Sequence, residues 1–147
     1  MDNADKAVSL FKQGWNCSQA VLAAYSDQFG LPQQSALKVA AGFGGGMRMA
    51  ETCGAVTGAF MAIGLKYGPG AAGDKNAKFQ TYKIVRQFVD KFSSRNGSVI
   101  CKELLGCDIS TPEGAKAARE KGLFASRCAE LVQDAAEILQ DMLAEHK

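Results

Sequence analysis

Apolar residues recur along the chain at helical spacing, and no stretch shows the alternation of a strand. Ala7, Leu10, Phe11 and Trp15 mark a first helix that ends near Gly14. Asn16 is placed to cap a second helix starting at Cys17, with Ala20, Val21, Ala24 and Tyr25 on its apolar face and Gly30-Leu31-Pro32 as its stop. Gln33 to Ala41 reads as a short third helix, followed by the glycine-rich stretch Gly42-Phe43-Gly44-Gly45-Gly46, a loop by composition. Met49 to Tyr67 then predicts a long, nearly uncharged helix, and a helix apolar all round belongs inside a bundle. Within it Ala50, Gly54, Gly58 and Ala62 form a stripe of small residues at every fourth position. Glycine in a helix costs about 1 kcal/mol relative to alanine, so the stripe implies close approach of another helix or of a bound group.

Asp74 starts the next predicted helix, which runs to about Arg95 on a face of Phe79, Tyr82, Val85, Phe88, Val89 and Phe92 and closes at Asn96-Gly97. A short helix spans Cys101 to Leu105 and stops at Gly106. Thr111 caps a further helix with Pro112 in its first position, and Ser126 caps the last, whose face includes Leu131, Ala135, Ile138, Leu139 and Met142. No linker, repeat or low-complexity segment divides the chain. The expected architecture is all-α: one domain over residues 1–147, an antiparallel bundle of about five main helices plus short ones.

A net charge of +2 with interspersed signs argues against nucleic acid as a partner. The polar, acidic N-terminus lacks the form of a signal peptide, and the apolar stretch from Gly54 to Leu65 is too short to span a bilayer. No membrane insertion and a cytoplasmic location are therefore expected. In a reducing compartment five cysteines, Cys17, Cys53, Cys101, Cys107 and Cys128, do not form a static disulfide framework. They act as redox thiols, as metal ligands or as small buried apolar fillers. Four of them, Cys17, Cys53, Cys101 and Cys128, fall near predicted helix starts. There the free N–H groups and the helix dipole favour the thiolate, which predicts lowered thiol pKa values. No pair has Cys-x-x-Cys spacing, and the one histidine, His146, lies at the C-terminal end. A metal site would be thiolate-rich, suited to zinc or an iron–sulfur cluster. The glycines of the loop, Gly44, Gly45 and Gly46, offer backbone N–H groups to an anion with help from Arg48, or gate access to Cys53; the bland alternative is a flexible connector. Asp134 and Glu137 read as a solvated face rather than an acid–base pair.

Together, Asn16-Cys17-Ser18-Gln19-Ala20, Gly42-Phe43-Gly44-Gly45-Gly46, Cys53-Gly54-Ala55-Val56-Thr57-Gly58, the segment from Cys101 to Cys107, Ser110-Thr111-Pro112-Glu113-Gly114 and Cys128 resemble the prokaryotic C_GCAxxG_C_C family over nearly the whole chain. That resemblance implies redox activity and maps the four family cysteines onto Cys17, Cys53, Cys101 and Cys128, leaving Cys107 as an extra; it names neither reaction nor substrate. Three readings stand at this point. In the first, Cys53 attacks or accepts electrons and Cys17, Cys101 or Cys128 resolves the disulfide, with a redox partner still to be identified. In the second, the four cysteines ligate zinc or an iron–sulfur cluster, with Gly44, Gly45, Gly46, Gly54 and Gly58 lining the bound group. In the third, the glycine stripe serves a helical binding module or a homodimer.

Overall fold

The computed structural model describes residues 2–146. Among the described residues eight α-helices follow one another: α1 Asn3–Lys12, α2 Cys17–Ser26, α3 Gln33–Val39, α4 Gly54–Tyr67, α5 Lys75–Asn96, α6 Cys101–Leu105, α7 Pro112–Glu120 and α8 Arg127–Glu145. Among the described residues the extended pairing is an isolated antiparallel bridge between Thr52 and Ile100. Among the described residues no helix is long and apolar enough to cross a membrane.

The caps account for most of the boundaries. Asn16 accepts from the N–H of Gln19 while the Gln19 side chain accepts from the N–H of Asn16, a full capping box at the start of α2. Asp74 caps α5 through Ala77, and Thr111 caps α7 through Gly114 with Pro112 in the first turn. Gly97 and Gly106 end α5 and α6 in the left-handed conformation. Ser126 departs from expectation: its hydroxyl donates back to the Gly122 carbonyl, so α8 starts without a side-chain cap.

The core is built around α2, which packs against α1, α3, α4 and α8. Its Tyr25 is fully buried and donates its hydroxyl to the Ala136 carbonyl of α8 at 2.6 Å, satisfying the one polar atom of that ring. Phe88 and Phe92 of α5 close the other side, and Arg95 ties α5 to Asp134 and Glu137 of α8 at the surface. Two members of the face expected for α5 do not reach this core. Burial on α5 begins at Ile84, and Phe79 and Tyr82, earlier in the helix, stand 62% and 56% exposed. A second, smaller cluster of Ala50, Cys101, Leu105, Ile109, Ala118 and Cys128 forms beside the main core, from the segment before α4 and from α6, α7 and α8.

The glycine stripe is used inside the chain. A Cβ on Gly58 would lie 2.6 Å from the Ser18 carbonyl oxygen, and one on Gly54 would lie 3.1 Å from the Ser18 nitrogen. The backbones of α2 and α4 therefore touch, and the buried hydroxyls of Ser18 and Thr57 bond at 3.3 Å across the contact. Gly64, in the same helix, faces open space. Gly58→Ala should destabilise the fold by about 1–3 kcal/mol through overpacking. Gly64→Ala should stabilise it by up to about 1 kcal/mol through helix propensity. Denaturant unfolding of both variants checks the contrast, and equal effects would remove the close-contact account.

Candidate functional site

The expected helix from Met49 starts later, at Gly54, because the preceding backbone turns left-handed. Gly45 (φ 66°), Gly46 (φ 64°), Met47 (φ 61°) and Arg48 (φ 63°) run consecutively with positive φ, and Ala50 (φ 55°) follows. Each L-residue held there costs about 1–2 kcal/mol. The glycine-rich stretch is thus a shaped wall rather than a loose connector. Gly44 is pressed on α2: its Cβ would fall 2.6 Å from Cγ of Asn16. The same Asn16 side chain donates to the Ala41 carbonyl at 3.1 Å, so the cap of the Cys17 helix also holds the start of the turn.

After the turn the chain extends. The N–H of Cys53 donates to the Val99 carbonyl at 2.8 Å, and the N–H of Cys101 donates to the Glu51 carbonyl at 2.5 Å. One bridge thereby sets two cysteines, remote in sequence, on either side of Thr52 and Ile100. Cys17 is the first residue of α2, Cys53 precedes α4 as its cap position, Cys101 opens α6 and Cys128 is second in α8.

These four cysteines line one cavity of about 370 Å³ at the junction of the two apolar clusters. Gly45, Gly46 and Gly54 are in its wall with Arg48 and Arg119. Gly44 and Gly58 are not; they serve the contacts with Asn16 and Ser18. Cys107 packs on the smaller cluster outside the cavity wall. His146 is elsewhere too, bonded through Nε2 to Gln87 and stacked edge-on against Tyr67. Arg119, Trp15 and Phe124 also line the cavity; Trp15 stands two residues before Cys17 and Phe124 four before Cys128, whereas nothing local in the sequence relates Arg119 to the thiols.

All five cysteines are free thiols. Cys53, Cys101 and Cys128 are buried, at 4%, 6% and 8% exposure, whereas Cys17 is half-buried. The expected lowering of thiol pKa values is reversed. Burial pushes Cys17 up, against the opposing pull of backbone N–H groups, among them those of Gly45 and Ala55, and of the Arg48 charge. Burial, followed by the nearby Cys17 and Cys101 thiols, drives Cys53 above the ordinary thiol range despite N–H groups of Ala55 and Val56. Cys101 is pushed to about 11 by burial and then by Cys17, with Arg48 opposing. Cys128 is pushed to about 12 by burial and then by Cys17 and Cys101, with Arg127 opposing. Helix starts do favour the thiolate, but loss of water outweighs them here. Among the described residues no three His, Cys, Asp or Glu side chains converge closely enough to hold a metal ion.

These shifts make stability depend on alkaline pH. An unfolded thiol ionises near 9.0, whereas folded Cys101 and Cys128 keep their protons to about 11 and about 12. Between those values the unfolded chain binds fewer protons, so stability is full below pH 9 and falls as pH rises above it. Thermal melts from pH 7 to 11 should show that decline, and Cys101→Ser and Cys128→Ser should each flatten it. An unchanged slope in both variants would refute the assignment.

Comparison with curated proteins and with solved structures gives no match. A family model does match, over residues 15–142, and its description reads "Putative redox-active protein (C_GCAxxG_C_C)". The matched span contains the left-handed turn, the bridge and all four cavity cysteines, and the chain belongs to the C_GCAxxG_C_C family.

Proposed function

We propose that the protein is a thiol redox protein that performs thiol–disulfide exchange inside the four-cysteine cavity, with Cys17 as the attacking thiol and Cys53 as its resolving partner. The family's redox description supports the general role. The observation that carries the finer reading is the meeting of Cys17, Cys53, Cys101 and Cys128 at one cavity wall with Cys107 outside it. Sγ of Cys17 also lies 3.3 Å from where a Cβ on Gly54 would stand, which sets that sulfur at the start of α4 beside the residue that follows Cys53. Cys17 is favoured over Cys53 for attack because its residue is half-buried whereas the other three are buried. Exchange requires an accessible thiolate and a second thiol within reach.

The step is a two-electron transfer. The Cys17 thiol loses its proton to solvent, and its sulfur attacks one sulfur of a substrate disulfide. A mixed disulfide forms while the substrate S–S bond breaks, and the released thiolate takes a proton. Cys53 then gives up its proton as its sulfur attacks Sγ of Cys17, the mixed disulfide breaks, and the second substrate sulfur leaves as a thiolate that takes up a proton in turn. Cys17 and Cys53 end as a disulfide, oxidised by two electrons, and the substrate is reduced by two. Run backwards, the same steps oxidise a dithiol. Cys101 and Cys128, which pack together in the smaller cluster, form a second dithiol to which the disulfide can pass.

A single zinc ion needs its thiolates gathered about 2.3 Å from one point. Thiols spread around a cavity wall fit that poorly, and no step is routed through a metal.

Alkylation and mass spectrometry of reduced protein, before and after mild oxidation, test the proposal. The expected result is loss of two thiols, recovered by dithiothreitol, with Cys17 joined to Cys53 and Cys107 still alkylated. Cys17→Ser and Cys53→Ser should each abolish that pair, whereas Cys107→Ser should keep it. Oxidation confined to Cys107, or stoichiometric iron with acid-labile sulfide in protein purified without oxygen, would overturn it.

A further inference from the structure

The charged side chains of the cavity wall are cationic. The wall carries two guanidinium side chains, Arg48 and Arg119, and no Asp or Glu. Neither arginine has a carboxylate within ion-pair distance among the described residues. Of the neighbouring acids, Glu51 pairs with Lys102, Glu120 with Lys116 and Glu130 with Arg127, while Asp108, whose charge acts on Cys101 from outside the wall, accepts from the Ser110 N–H and hydroxyl. Arg48 is held at φ 63°, where glycine would be the relaxed choice, and its guanidinium folds back over Gly45. A Cβ on Gly45 would lie 3.0 Å from that guanidinium, so the glycine makes room for the arginine. Strain kept at a cavity wall is the pattern of a positioned functional group.

We infer that the substrate of this cavity is a small anionic disulfide, one with carboxylate or similar acidic groups near its sulfurs, anchored by Arg48 and Arg119. The inference rests on the thiol-exchange reading above and adds the substrate class to it. A volume of about 370 Å³ suits a small molecule rather than a protein segment. Guanidinium groups bind carboxylates through paired N–H donors. They also offset the repulsion that an anionic disulfide meets from the attacking Cys17 thiolate. The exchange itself is unchanged: two electrons pass from the Cys17–Cys53 dithiol, the substrate S–S bond breaks, and two anionic thiols leave with protons from solvent.

The test uses three small disulfides of similar size: dithiodipropionate, a dianion; bis(2-hydroxyethyl) disulfide, neutral; and cystamine, a dication. Rates of oxidation of the reduced protein are measured at low salt, each divided by the rate of the urea-unfolded chain with the same reagent. The normalised dianion-to-neutral ratio should exceed about tenfold, and cystamine should rank last. Arg48→Gln and Arg119→Gln should each lower that ratio several-fold. Arg48→Lys should retain most of it, and the control Lys83→Gln, on the exposed face of α5 outside the cavity wall, should retain all of it. Circular dichroism melts establish that each variant is folded. A ratio near one in the wild type, or the same ratio in the two glutamine variants as in Lys83→Gln, overturns anion selection while exchange stands. No disulfide reacting faster with the folded protein than with the unfolded chain overturns both.

Discussion

With no Cβ at Gly54 and Gly58, the backbone of α4 rests directly on that of α2 at Ser18, and the cavity depends on that contact. It sets the start of α4 beside the start of α2, so that Sγ of Cys17 lies against Gly54, the residue that follows Cys53. A pair of β-carbons there would part the helices and separate the thiols before any redox chemistry was at issue. The bridge of Thr52 to Ile100 extends the arrangement sideways, bringing Cys101 to the same cavity. Cys128 completes it from α8, which packs on α1, α2, α4 and α5.

The electrostatics of the cavity are a contest between two effects of one placement. Helix starts and the left-handed turn aim N–H groups at Cys17 and Cys53, and each such donor favours the thiolate. Burying four thiols around one small space removes water from all of them and sets each against the charge of its neighbours. The second effect is larger, so the thiols stay protonated at neutral pH. Only the ionised fraction attacks. Cys17 is the half-buried one of the four, and on it the Arg48 charge and backbone N–H groups oppose the dominant upward push of burial.

The turn from Gly45 to Ala50 is where the backbone departs furthest from local preference. Two of its residues are glycines, for which positive φ carries no penalty. Met47, Arg48 and Ala50 are not, and the surrounding contacts hold them: Glu51 donates to the Gly46 carbonyl, Ala50 is fully buried in the smaller cluster, and the bridge pins the chain that follows. The turn shapes the wall, presents Arg48 and delays α4 until Cys53 is at its start.

Local chemistry determined a good deal of this. The capping groups Asn16, Asp74 and Thr111, the stops at Gly97 and Gly106, the all-helical class and the placing of four cysteines at helix starts follow from residue-by-residue preferences that act over a few positions. The small-residue stripe announced a close helix contact, though not that α2 would be the partner. What only the tertiary structure decided depends on residues remote in sequence. Left-handed φ at Met47 and Arg48 runs against their own preference and is imposed by packing. The exposure of Phe79 and Tyr82 follows from where the neighbouring helices lie. The raised thiol pKa values come from burial, a property of the assembled core that overrides the helix-end effect legible in the sequence. Arg119 joins the thiols only because α7 folds over the cavity, a relation that no spacing along the chain encodes.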